Sequence, residues 1–246
     1  MAVAGLLIGA SSASATFHFM KVREISPGTD GLDSSYIEVQ MYAGFQNFLS
    51  NGAGLVICNN NCSSMTTYSS FTDVGNGNNQ DTVLFGDTGV ASGTKDFDVG
   101  LNLDTIKAGG AVCYTSEPGY HDCVSWGNFS ANSTLTGAYG SVADPGTPAP
   151  ALTSGMALRR SIAPGCPTLL EAGDDTNNSA TDFQSVTPNP RSNSVTPTET
   201  PCTTAGGGPT GYPTPAPMSP GAKKKCKKHK KNTGAYAAKK KCKKRK

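Results

Sequence analysis

"YIEVQMY", Tyr36–Tyr42, is the stretch whose reading decides the fold. Ile37, Val39 and Met41 fall on one side of an extended chain and Glu38 and Gln40 on the other. That period of two belongs to a strand with one face on a core and the other toward water. "MKVREI" (Met20–Ile25), "GLVIC" (Gly54–Cys58), "DTVLF" (Asp81–Phe85), "GAVCYT" (Gly110–Thr115), "CVSW" (Cys123–Trp126) and "MALRRSI" (Met156–Ile162) are further short apolar runs, each bounded by Gly, Pro, Asn or Asp. No long run at helical spacing interrupts them. The rhythm predicts an all-β sandwich or barrel, and 246 residues leave room for one such domain with appendages.

Charge divides the chain sharply. The last 24 residues hold 14 of the 21 basic residues and none of the 18 acidic ones, so residues 1–222 carry −11 and the tail +14. Between body and tail the composition changes: residues 187–222 contain 9 of the 16 prolines and almost no large apolar side chain, the signature of an extended, partly polyproline linker. The expected organisation is a leader at 1–15, a β-sandwich at 16–193, a Pro/Thr/Gly-rich linker at 194–222 and a lysine-rich tail at 223–246. The leader reading rests on "AVAGLLIGA" (Ala2–Ala10), too short to span a bilayer, followed by small residues at Ala13 and Ala15 that suit cleavage after Ala15. A buried first element is the alternative. Export predicts a secreted or cell-surface protein.

Eight cysteines fit that compartment. Cys58/Cys62, Cys113/Cys123, Cys166/Cys202 and Cys226/Cys242 are neighbouring couples, and pairing neighbours is the simplest of many connectivities. Cys113/Cys123 has a physical argument of its own. Two strand-like arms flank Glu117-Pro118-Gly119, so a hairpin would bring the sulfurs together. A zinc reading of "CNNNC" lacks a companion histidine or second close cysteine pair.

Three longer stretches resemble the lamin-tail domain family, in its bacterial secreted form. "MKVREISPGTDGLDSSYIEVQMY" (Met20–Tyr42) is similar to the family's opening pair of strands, and "GGAVCYTSEPGYHDCVSWG" (Gly109–Gly127) to its hairpin leading into Val and Trp. "ALRRSIAPGCPTLLEAGDDTNNSATDFQSVTPNPRSN" (Ala157–Asn193) resembles its closing strand with Leu-Arg-Arg, an Asp/Asn-rich turn, Asp-Phe and Pro-x-Pro. The family's Trp-Leu strand has no counterpart in "NFLSNGAGLVICNN" (Asn47–Asn60). The resemblance spans residues 17–193. It implies an immunoglobulin-like β-sandwich without intrinsic catalytic residues, carried by secreted or surface proteins in bacteria and used in nuclear lamins to bind proteins and DNA.

Individual residues acquire expected roles. Trp126, the only tryptophan, is a core anchor rather than a sugar platform. Arg159 and Arg160 are adjacent in a strand and must face opposite sides; one pairs with the carboxylates of "GDDTNNSATDF" (Gly173–Phe183), or both are solvated. "DVGNGNNQD" (Asp73–Asp81) and "GDDTNNSATD" (Gly173–Asp182) gather oxygen donors, but neither has the ligand order of a calcium loop, and turn chemistry explains both. No metal or cofactor is expected. Asn61, Asn128, Asn132 and Asn177 are Asn-x-Ser/Thr acceptors that arise readily in this composition.

Catalytic signals are thin. The histidines are His18, His121 and His229, and no nucleophile elbow accompanies them. "SGTK" (Ser92–Lys95) lacks the partner motifs of penicillin-recognising enzymes. For a secreted hydrolase, the alternative reading, His121 with Asp122 is the least implausible acid/base pair, and no small-molecule substrate is indicated. The tail is the expected site: Lys223, Lys224, Lys225, Lys227, Lys228, Lys230, Lys231, Lys239, Lys240, Lys241, Lys243, Lys244, Arg245 and Lys246 form a cationic string suited to anionic cell-envelope polymers or lipid headgroups. Each cation near such a surface contributes about 1 kcal/mol within a screening length of roughly 8 Å. Nonspecific nucleic-acid binding and a merely solubilising spacer are the alternatives. Tyr236 is the one tail side chain that could stack on a base. The function expected is a noncatalytic binding or structural module.

Overall fold

The computed structural model describes residues 18–90, 94–116, 120–162 and 168–201. The chain divides after Thr203 into two units, and all described residues belong to the first. The strands are β1 (Met20–Ser26), β2 (Tyr36–Met41), β3 (Gly54–Asn59), β4 (Met65–Tyr68), β5 (Thr82–Gly86), β6 (Phe97–Asp98), β7 (Gly109–Ser116), β8 (Tyr120–Gly127), β9 (Ala157–Arg160) and β10 (Phe183–Val186). Two helices, α1 (Asn132–Tyr139) and α2 (Ser179–Asp182), lie among them. A six-stranded sheet runs β10-β9-β1-β2-β5-β6 and a four-stranded sheet β4-β3-β7-β8. The architecture is all-β, as the alternation predicts.

The core forms where inward side chains of the two sheets meet. Val22, Ile25, Ile37, Val39, Val83 and Phe85 from one sheet share a buried cluster with Leu55, Ile57, Val112, Val124 and Trp126 from the other. Trp126 is fully buried and donates its indole N–H to the Ile106 carbonyl at 2.9 Å, so the core role holds. Its cross-strand partner is Gly110, where a Cβ would stand 2.9 Å from the indole ring and 2.8 Å from the Cys58 carbonyl oxygen. Only glycine fits beside the tryptophan.

A second cluster sits on the outer face of the four-stranded sheet. Val56, Cys58, Cys113 and Cys123 are covered there by Phe129, Ala131 and Leu135, the last two at the start and inner face of α1. Cys113 pairs directly with Cys123 across the β7–β8 hairpin, and disulfides join Cys113 to Cys123 and Cys58 to Cys62. Cys166, Cys202, Cys226 and Cys242 lie outside the described residues, as do the expected leader and the whole tail. Replacing Cys113 and Cys123 together by alanine removes a cross-link at the heart of the second cluster. Chemical denaturation should then show a loss of about 2–4 kcal/mol, with the β-sheet circular dichroism retained.

One expectation about β2 needs correction. Glu38 and Gln40 do not face water: they are 1% and 0% exposed. Residues 187–201 run across that face. Their polar groups meet Glu24, Glu38, Gln40 and Thr82, so carboxylates on a sheet surface become buried acceptors. The described chain thus continues past Asn193 into the stretch read as linker, and Glu199 from that stretch is part of the covering layer.

Candidate functional site

The seven basic residues of the acidic body are Lys21, Arg23, Lys95, Lys107, Arg159, Arg160 and Arg191. Six of them form ion pairs with carboxylates: Lys21 with Asp175, Lys95 with Asp98, Lys107 with Asp30, Arg159 with Glu24, Arg160 with three aspartates, and Arg191 with Glu38 and Glu199. The most exposed of these six side chains, Lys107, is 29% exposed. Arg23 donates to the Arg160 carbonyl, while its Nε is buried without a partner. The positive charge of the body is therefore taken up by its own carboxylates and backbone, at the surface for Lys107 with Asp30 and in the interior for Arg160.

Arg160 is the centre of that interior charge. It shares the inward side of β9 with Leu158, and Asp122 shares the inward side of β8 with Val124 and Trp126, so the pair spans the gap between the sheets. Both Asp122 oxygens lie 2.8 Å from Nη2 of Arg160. Nε of Arg160 donates to the Val22 carbonyl at 3.0 Å, and Nη1 reaches the Asp174 carbonyl at 3.3 Å, Asp175 at 3.3 Å and Asp182 at 3.5 Å. The guanidinium carbon lies 4.8 Å from the centre of the Phe183 ring. Burial alone would lower the Arg160 pKa, but Asp122, Asp175 and Asp182 outweigh it and hold the cation. Burial pushes the Asp122 carboxyl up and Arg160 draws it back; two 2.8 Å contacts to a guanidinium are those of an ionised pair.

The Asp/Asn-rich turn supplies the rest of this shell. Asp182 accepts from the Thr176 amide at 2.9 Å and hydroxyl at 2.7 Å, and Asp175 accepts from the Asn177 amide at 3.0 Å and Lys21 at 2.5 Å. Of the two arginines, Arg160 pairs with this turn while Arg159 turns to the opposite face and Glu24. The oxygen donors gathered in this stretch are directed at a guanidinium and at turn amides, in keeping with turn chemistry. In the other such loop Asp73 accepts from the Ser50 amide and Asp81 from the Asn78 amide. Among the described residues no group of three or more His, Cys, Asp or Glu is arranged to hold a metal ion.

Asp175 gives this shell a pH signature. Burial raises its pKa, but Arg160 and Lys21 together bring it down to about 2. A carboxyl whose pKa is depressed on folding stabilises the protein above its unfolded value and loses that contribution as pH falls through the folded one. Stability should drop by up to about 2 kcal/mol between roughly pH 4 and pH 2 from this group alone. Thermal melts over that range should be flatter for Asp175→Asn than for the native chain.

A cavity of ≈240 Å³ opens beside the cluster, lined in part by His18, Lys21, Tyr42, Asp122 and Asp175. Lys21 and both aspartates there are already engaged in ion pairs. Nδ1 of His18 lies 2.9 Å from the Ser116 hydroxyl, and burial lowers the histidine's pKa. Of the expected acid/base couple, Asp122 is the partner of Arg160 and also accepts the Val22 amide at 2.6 Å, so its carboxylate is structural. The His121 side chain lies outside what is described, and so does Ser92 of the Ser-Gly-Thr-Lys stretch.

A second polar cavity of ≈170 Å³ lies between the sheet and the 187–201 segment, lined by Arg23, Glu24, Glu38, Arg159, Asn189, Arg191, Thr198 and Glu199. Sequence reasoning missed this cluster. The one available signal was an arginine and a glutamate inside a proline-rich stretch otherwise almost free of charge. Comparison of the chain with protein-family models, with curated proteins and with solved structures finds no match. Two disulfides fit an oxidising, non-cytoplasmic environment, and among the described residues no helix is long and apolar enough to cross a membrane.

Proposed function

We propose that this is a noncatalytic module of the secreted or cell-surface kind, an acidic immunoglobulin-like β-sandwich held near anionic cell-envelope polymers or lipid headgroups by its lysine-rich tail. The observation that carries the reading is the division of charge. Fourteen basic residues without one acidic residue stand at 223–246, and the seven in the body are engaged by its own carboxylates and backbone. A polyanion meets only the tail as an attractive surface. The lamin-tail resemblance of residues 17–193 supports a sandwich that binds or organises rather than catalyses. The test is retention: full-length protein should bind dextran sulfate and anionic vesicles reversibly with salt, and a chain ending at Ala222 should bind neither. Duplex DNA in the same series separates a general polyanion preference from one for envelope chemistry.

The hydrolase reading draws on one observation, the His18–Ser116 contact beside the ≈240 Å³ cavity. Ser116 is 3% exposed, which places its hydroxyl out of reach of a substrate unless the surroundings open. Labelling by a fluorophosphonate probe that is lost in Ser116→Ala would raise this reading above the first.

A further inference from the structure

After β10 the character of the chain's attachment changes. Phe183 anchors β10 in the apolar core, whereas the buried residues of 187–201 are Ser192 and Asn193, and Val195 is 42% exposed. Hydrogen bonds and ion pairs hold this segment in place. Glu24 accepts the Asn189 amide at 2.9 Å, Glu38 accepts the Arg191 amide at 2.7 Å, and Asp96 accepts the Asn193 amide at 2.8 Å. The Arg191 guanidinium bridges Glu38 at 3.1 Å and Glu199 at 2.7 Å, and Glu199 also accepts from Gln40 at 2.8 Å. Beneath it lies the ≈170 Å³ polar cavity, where Arg23 Nε has no partner. A segment attached through polar contacts over a polar cavity lacks the apolar burial that ties local opening to global unfolding.

We propose that residues 187–201 form a releasable strap, latched to the six-stranded sheet by Arg191 between Glu38 and Glu199, whose opening lengthens the lead between the sandwich and the tail. Fifteen residues released at about 3.3 Å each add up to about 50 Å of reach. That consequence rests on the tethering role proposed above; the latch itself does not.

The latch also responds to pH. Facing Glu38 are Glu24 and Arg23 from β1, Tyr36 from β2, Arg159 from β9, and Arg191 and Glu199 from the strap. Burial, opposed by Arg191 and reinforced by Glu24, pushes the Glu38 pKa up to about 7 from 4.5. The closed strap therefore holds a proton that the opened, hydrated carboxyl gives up. Closure is strongest near the lower value and weakens as pH rises toward the upper one, by up to about tenfold per pH unit. Burial raises Glu199 too, but its hydrogen bond and attraction to Arg191 leave it net below its ordinary value, so its contribution is lost only in more acid solution.

Residue-resolved hydrogen exchange on the full chain, expressed as protection factors, tests this. The amides of Asn189, Arg191 and Asn193 should open well before those of β1, β2 and β5, and Arg191→Gln should cut their protection at least tenfold without lowering the melting temperature of the body. Glu199→Gln should act in the same direction, more weakly. Glu38→Gln should remove the fall in protection between about pH 5 and pH 7. Strap amides that exchange together with the core strands, or that ignore Arg191→Gln, overturn the latch. A Glu38→Gln chain as pH-dependent as the native one overturns its titration. Reach is read separately from the distance between labels in the body and the tail; an unchanged distance in Arg191→Gln with lost protection would sink the consequence for tethering and leave the latch standing.

Discussion

Replacing Arg160 by methionine will destabilise the sandwich by about 3–5 kcal/mol at neutral pH, a large part of the roughly 5–15 kcal/mol that holds a domain of ordinary stability folded. Methionine fills much of the same volume, so the loss is electrostatic. Asp122 would remain between the sheets at 3% exposure, with Asp182 nearby, and neither would have the cation it faces. Arg160→Lys should recover less than half of the loss, because an ammonium cannot contact Asp122, the Val22 carbonyl and the Asp174 carbonyl at once. Asp122→Asn combined with Arg160→Met removes both partners and should be markedly less harmful than Arg160→Met alone. Equilibrium urea unfolding of the four chains decides the matter. A harmless Arg160→Met would mean that the cluster is wet and contributes nothing.

Truncation after Ala222 should lower affinity for a flexible polyanion by at least about a thousandfold at low salt, on the order of 4 kcal/mol. The body then carries −11 and its basic side chains are engaged by its own carboxylates and backbone, so long-range repulsion adds to the loss of contacts. The truncated protein should keep its melting temperature, because the buried clusters of both sheets lie before the cut. Affinity that survives truncation would move the binding surface onto the sandwich.

What the sequence disclosed followed from local rules. Tyr36–Met41 alternates, so its strand and its core face were legible. Cys113 and Cys123 flank a turn sequence, so their pairing was legible from hairpin geometry. The opposite orientations of Arg159 and Arg160 followed from strand periodicity, but which one entered the interior depended on Asp122, 38 residues earlier. Helix α1, Asn132–Tyr139, was missed because Ser, Thr and Gly are weak helix formers; it is held by Leu135 packing over the disulfide face. β4 and β6 are too short to show a period, and β4 is largely exposed. The expected boundary between sandwich and linker, at 193, falls inside the strap because the composition from 187 onward cannot bury apolar surface. The strap's order comes from partners 153 residues away, such as Glu38 for Arg191, which composition does not register.

The tail offers a direct count of its own charges. Its 14 basic residues fall into two groups of seven, Lys223–Lys231 and Lys239–Lys246, separated by the uncharged Asn232–Ala238. Dextran sulfate binding by the full chain, measured across salt concentrations, should give a log–log slope steeper than about −5. Neutralising either group by Lys→Gln and Arg→Gln should reduce that slope by about half, and by the same amount whichever group is changed. A slope that stays the same when seven charges are removed, or that depends on one group alone, would contradict the account of an electrostatic anchor on an acidic, self-paired body.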